Sequence, residues 1–65
     1  MTYTQTAWAL RTKNGKWRDG DFLRSALDMD LLYPKRGDAV LDRGWIEGAE
    51  GDRVVRVSVT MEVKE

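Results

Sequence analysis

The chain has no cysteine and no histidine among its 65 residues, and only one proline. Without cysteine it can form neither a disulfide nor a thiolate-ligated structural zinc site. Without histidine it lacks the commonest general base and the commonest ligand for transition metals. An excess charge of one sign is also missing, because 11 basic and 11 acidic side chains cancel to a formal net charge of zero. That balance argues against a general polyanion binder and equally against an acidic mimic of nucleic acid. No window reaches the ~20 apolar residues that a membrane span requires. Met1-Thr2-Tyr3-Thr4-Gln5 also lacks the pattern of a secretory signal. The expectation is a cytoplasmic chain without membrane contact.

What is present is expected to fold as one small α+β domain over residues 1–65. Its core must come from the 42% of residues that are hydrophobic, Trp8, Trp17 and Trp45 among them. A chain of this length is near the lower limit for folding without a metal or disulfides. Ordering costs of roughly 1.5 kcal/mol per residue leave little surplus from burial. A homodimer that covers further surface is therefore the expectation.

The clearest pattern is the alternation from Asp52 to Glu65. Val55, Val57, Val59, Met61 and Val63 point one way, and Arg56, Ser58, Thr60, Glu62 and Lys64 the other. This predicts a strand with one buried and one wet face, in an antiparallel sheet. Tyr3–Thr12 reads as a first strand, with Thr6, Trp8, Leu10 and Thr12 on one side. Asn14-Gly15 is a strong hairpin signal. A two-residue loop there sets Lys13 opposite Lys16 and Thr12 opposite Trp17, placing Trp17 on the face of Trp8 and Leu10. The return arm should be short, since Asp19-Gly20-Asp21 favours a turn.

One helix is expected over Phe22–Leu32, capped by Asp21, with Leu23, Ala26, Leu27 and Leu31 at the spacing of a buried stripe. Arg24 and Asp28 form an i, i+4 pair on its outer side. Pro34 should end it, and Pro34-Lys35-Arg36-Gly37 should turn into a third strand over Asp38–Glu47, with a bulge at Gly44 re-aiming Trp45. The last strand would pair back with the third. The expected order is β-β-α-β-β, with the helix stripe packed on the valine face of the last strand.

Catalytic equipment is sparse, and no catalytic residue, metal site or cofactor is assigned. Serine and threonine have no histidine to activate them. On a helix, Asp28 and Asp30 would diverge, which speaks against a small hydrolase built on that pair. Asp19 and Asp21 flank a glycine, where aspartate commonly bonds its own backbone. Arg36-Gly37-Asp38 matches an integrin-recognition tripeptide, yet a plain turn accounts for it.

Two surfaces stand out. Arg11, Lys13, Lys16 and Arg18 surround Trp17, the combination that phosphate contact plus base stacking requires. Lysines at a hairpin tip also keep a sheet edge soluble, and Trp17 could simply close the core. The second surface is the polar face of the last strand, Arg56, Ser58, Thr60 and Glu62, beside an exposed sheet edge. In size and composition the chain resembles the short, cysteine-free reading frames common in bacteria and their phages, a likeness that transfers no function. The leading expectation is a non-enzymatic protein-interaction module (an adaptor, inhibitor or regulatory protein) that self-associates. The alternative is a nucleic-acid binding module using the first hairpin.

Overall fold

The first and last strands pair along their whole length. In the computed structural model, β1 (Thr2–Arg11) and β4 (Arg53–Glu62) run antiparallel, from Thr2 opposite Glu62 to Arg11 opposite Arg53. The structure describes residues 1–64, and Glu65, expected as the end of the last strand, lies outside them. β2 (Trp17–Asp19) and β3 (Phe22–Arg24) complete an antiparallel sheet in the order β3-β2-β1-β4. A single 3-10 turn (Met29–Leu31) leads to Tyr33, which bridges to Trp8, and α1 (Arg36–Trp45) follows. The class is α+β as expected, but the order is β-β-β-α-β rather than β-β-α-β-β.

Two segments exchange their expected states. Gly20, at φ 56°, makes a two-residue turn with Asp21, so Asp19 faces Phe22 and the chain from Phe22 to Arg24 joins the sheet. Farther on, the Asp28 carboxylate accepts the Asp30 N–H at 2.9 Å and caps one 3-10 turn only. Such local side-chain bonds compete with helix, and here they win. Of the expected stripe, only Leu31 is buried. Arg24 pairs with Asp19 at 3.0 Å rather than with Asp28.

The helix forms instead where a strand was expected. Pro34 holds Tyr33 extended, which suits its bridge to Trp8, and a helix can start two residues later. Ala39, Val40, Arg43 and Ile46 share one stripe at helical spacing, and Ala39 is fully buried. Gly44 sits inside the last turn of α1, so there is no bulge at that position. Arg36-Gly37-Asp38 forms the first turn of the helix. With no third strand beside it, the last strand pairs with the first.

Cross-strand partners share a face, which sorts the sheet into two sides. Trp8, Leu10, Thr12 and Val54 lie on one, and Ala7, Ala9, Val55, Val57 and Val59 on the other. Tyr33, on the Trp8 side, donates its hydroxyl to Asp42 of α1 at 2.6 Å. Arg43 of α1 donates to the Asp52 carbonyl at 3.3 Å. The helix therefore covers the Trp8–Leu10 side, not the valine side where it was expected. Among the described residues, Leu10 is the largest side chain that is fully buried. Val55, Val57 and Val59 are only half-buried.

Candidate functional site

β4 is an edge strand for all ten of its residues. Met1 and Val63 exchange backbone hydrogen bonds, so the odd-numbered residues of β4 bond to β1. By alternation, the N–H and C=O groups of Val54, Arg56, Ser58, Thr60 and Glu62 point outward, away from the sheet. Arg56, Ser58, Thr60 and Glu62, chosen from the sequence as a partner face, are all exposed. They share the side of the sheet that carries α1, but lie beyond its contacts with Tyr33 and Asp52. Exposure on that side is what sequence alternation alone implied.

The two strands also outrun the rest of the fold. Trp8 is the last residue of β1 with a partner on its second side, namely Tyr33. Beyond it, Thr2–Thr6 and Ser58–Glu62 form a two-stranded ribbon exposed at every residue except the half-buried Val59. The molecule is accordingly elongated, 43 × 23 × 15 Å, with a radius of gyration of 12.7 Å. A compact chain of this length would have a radius near 11 Å (roughly). On the valine side, Gln5, Ala7 and Val59 border a shallow groove of about 200 Å³ closed by Met29, Leu32 and Pro34.

The basic hairpin is rearranged by a one-residue slip. Thr12 bonds Lys16 through its backbone N–H (2.9 Å), and its Oγ1 accepts the Lys16 N–H (3.0 Å). The loop is thus the three residues Lys13-Asn14-Gly15, with Gly15 at φ 78°. Trp17 faces Arg11 instead of Thr12, and so lies on the valine side, away from Trp8 and Leu10. The Arg11 guanidinium sits 4.4 Å from the Trp17 ring centroid.

The five basic-site residues do not form one surface. Arg18 turns to the other side of the sheet. There it makes a two-pronged pair with Asp52, Nε–Oδ2 2.7 Å and Nη2–Oδ1 3.1 Å, and also reaches the Gly48 carbonyl at 3.2 Å. Their side chains are only 10% and 4% exposed, and the bond to Asp52 pushes the Arg18 pKa up. The exposed Lys13 side chain lies against Gly51, where a Cβ would only displace its flexible end. Lys16 is exposed.

A different basic row takes the hairpin's place. Across the four strands, Arg24 pairs with Trp17, Trp17 with Arg11, and Arg11 with Arg53, so all four share the helix-free side. Arg11 and Arg53 are directly opposed like charges with no acidic partner among the described residues. Arg24 and Arg53 escaped the sequence reading because strand order, not spacing, brings them together. The outer face of α1 was missed as well. It exposes Leu41 (64%) and Trp45 (83%) at i, i+4, and a helix pattern over 36–45 was the signal for it.

Tyr33 is the other perturbed group. Burial, then the hydrogen bond to Asp42, raises its pKa well above the ordinary value of 10.0. Among the described residues no cluster of three acidic side chains is placed to hold a metal, and no helix is long and apolar enough to cross a membrane. Asp28 is spent on its 3-10 cap and Asp19 on Arg24. No protein-family model, curated protein or solved structure matches the chain.

Proposed function

We propose that the chain is a non-enzymatic interaction module that binds protein by strand addition at the β4 edge. The observation that carries this reading is a ten-residue strand with one side unpaired, half of it in a ribbon with little covering it. Edge strands of this length present a ready template for another strand, and main-chain bonds supply the affinity. The half-exposed valines beside the edge supply apolar contact for alternate side chains of an added strand. An adaptor or inhibitor acting in this way needs no catalytic group and no cofactor.

Proline at position 58 tests the reading. The Ser58 N–H points outward, so its loss costs no bond within the sheet, while a proline ring there blocks an incoming strand. Ser58→Pro should keep the fold, by circular dichroism, and lose capture of partner protein by the immobilised chain. Unchanged capture by the folded variant would exclude edge addition.

One observation favours a second reading, single-stranded nucleic acid on the helix-free face. Among the described residues Arg11 and Arg53 lack acidic partners, and they lie in a row beside Trp17 with Arg11 against its ring, an arrangement suited to phosphate contact and base stacking. It predicts salt-dependent quenching of tryptophan fluorescence by an oligonucleotide, lost in Arg53→Glu and kept in Lys16→Glu. Absence of quenching at low salt excludes it.

A further inference from the structure

We infer that the strand added at the β4 edge is β4 of a second copy, paired antiparallel about a two-fold axis at Val59. The inference rests on the edge-binding reading above and names its partner and register.

Three observations lead to a second copy. The first is surface. The chain exposes 5054 Å², whereas a folded monomer of 7.5 kDa exposes about 4,200 Å². The excess, roughly 800 Å², equals what one partner contributes to an interface of standard size. The second is the ribbon of Thr2–Thr6 and Ser58–Glu62, since a lone two-stranded ribbon is marginal in water and a third strand stabilises it. The third is the charge pattern along β4, which complements itself.

The hydrogen-bonding geometry limits the choice. Only even-numbered residues of β4 present outward N–H and C=O groups, so they must pair with even-numbered residues of the copy. Centred on Val59, the pairing sets Arg56 against Glu62 twice, by symmetry, and Ser58 against Thr60. Val57 then faces Met61 and Val55 faces Val63 on the helix-free side. Moving the centre to Thr60 puts Arg56 opposite Lys64, a like-charge pair. Moving it to Ser58 puts Glu62 opposite Val54 and leaves Arg56 opposite Thr60. A centre at Arg56 opposes two arginines, and one at Val57 opposes Asp52 and Glu62. Of these registers, only the one at Val59 pairs opposite charges within β4 without pairing like ones; the centre at Ser58 does so only between Lys64 and Asp52, which lie outside β4, and Asp52 is already held by Arg18. The product is a continuous eight-stranded sheet, β3-β2-β1-β4 joined to β4-β1-β2-β3 of the copy.

Charge exchange and cross-linking test the register. Sedimentation of the whole chain over a dilution series should show a monomer–dimer equilibrium. Arg56→Glu and Glu62→Arg each turn two attractive pairs into two repulsive ones, and each should weaken dimerisation about tenfold. The double variant should return to the unaltered affinity. The chain has no cysteine of its own, so Val59→Cys, which meets its own copy at a non-hydrogen-bonded pair, should oxidise to a covalent dimer. Ser58→Cys, whose copy lies a diagonal away, should not. A monomer at millimolar concentration overturns the inference, as does failure of the double variant to restore dimerisation or equal cross-linking at positions 58 and 59. If the chain is monomeric yet captures another protein in a manner lost in Ser58→Pro, the second copy is excluded while edge binding stands.

Discussion

The two halves of the β1–β4 pair use the same strands, the same register and similar side chains, but only one half belongs to a core. Ala7–Arg11 and Arg53–Val57 are flanked by β2, by Tyr33 and by α1, and Ala9 and Leu10 are 1% exposed. Among the described residues, Thr2–Thr6 and Ser58–Glu62 have no strand on either outer side. Strand formation is thus a local matter, while strand stability depends on what packs against the pair. The covered half holds the fold together, and the bare half is what the molecule has to offer a partner.

Loss of packing should separate the halves most strongly. Leu10→Ala empties a closed site and should cost about 3 kcal/mol, whereas Val59→Ala, on the half-open face, should cost under about 1 kcal/mol. Urea denaturation of the two variants measures the difference, and equal losses would erase the distinction between core and ribbon.

The Arg18–Asp52 pair ranks next. It ties β2 to the loop before β4, and removing the guanidinium leaves a carboxylate that is 4% exposed without its partner. Arg18→Ala should cost about 2 kcal/mol, below the range for deeply buried pairs because Arg18 also borders open hollows. Replacing Arg18 and Asp52 together with methionine and leucine should recover most of that loss. If it does not, the pair contributes more than mutual neutralisation.

The smallest effect concerns Tyr33, at the boundary between the halves. Its pKa is raised in the folded chain, so the unfolded chain gives up the phenolic proton first as pH rises. The stabilisation is present in full below pH 10 and is lost above it, by up to about 1 kcal/mol per pH unit. Tyr33→Phe should cost about 1 kcal/mol near neutral pH, the value of the bond to Asp42. It should also flatten the alkaline decline in thermal stability; an unchanged decline would mean that another group sets it.

The strands with strong alternation were legible in the sequence, and those made by turn chemistry were not. Trp8 and Leu10, and the valines of β4, show their faces by period alone. Phe22–Arg24 looks helical because Leu23, Ala26, Leu27 and Leu31 satisfy a helix template, yet Gly20 and Asp28 decide that segment through a tight turn and a side-chain cap. In the hairpin, a bond from the Lys16 N–H to Thr12 Oγ1 lengthens the loop by one residue and moves Trp17 to the other face. That one-residue slip, made with the backbone bonds Thr12 N–H to Lys16 and Gly15 N–H to Thr12, separates the basic surface expected from the hairpin from the row of Arg24, Trp17, Arg11 and Arg53. Of the expected sites, the polar face of the last strand was readable because exposure follows from alternation. The row was not, because it is assembled from residues as far apart as Arg11 and Arg53.

By itself, the sequence determined the antiparallel α+β class, the two long strands and their alternation, the presence but not the register of the first hairpin, and the absence of thiol and imidazole chemistry. These follow from side-chain period and from residue types, which act over a few neighbours. The tertiary structure alone decided that the first strand pairs with the last, that the helix lies at residues 36–45, and that it covers the side of the sheet opposite the valines. Such choices compare whole arrangements of burial and backbone pairing between distant segments. Their outcome leaves the β4 edge and the valine face open at once.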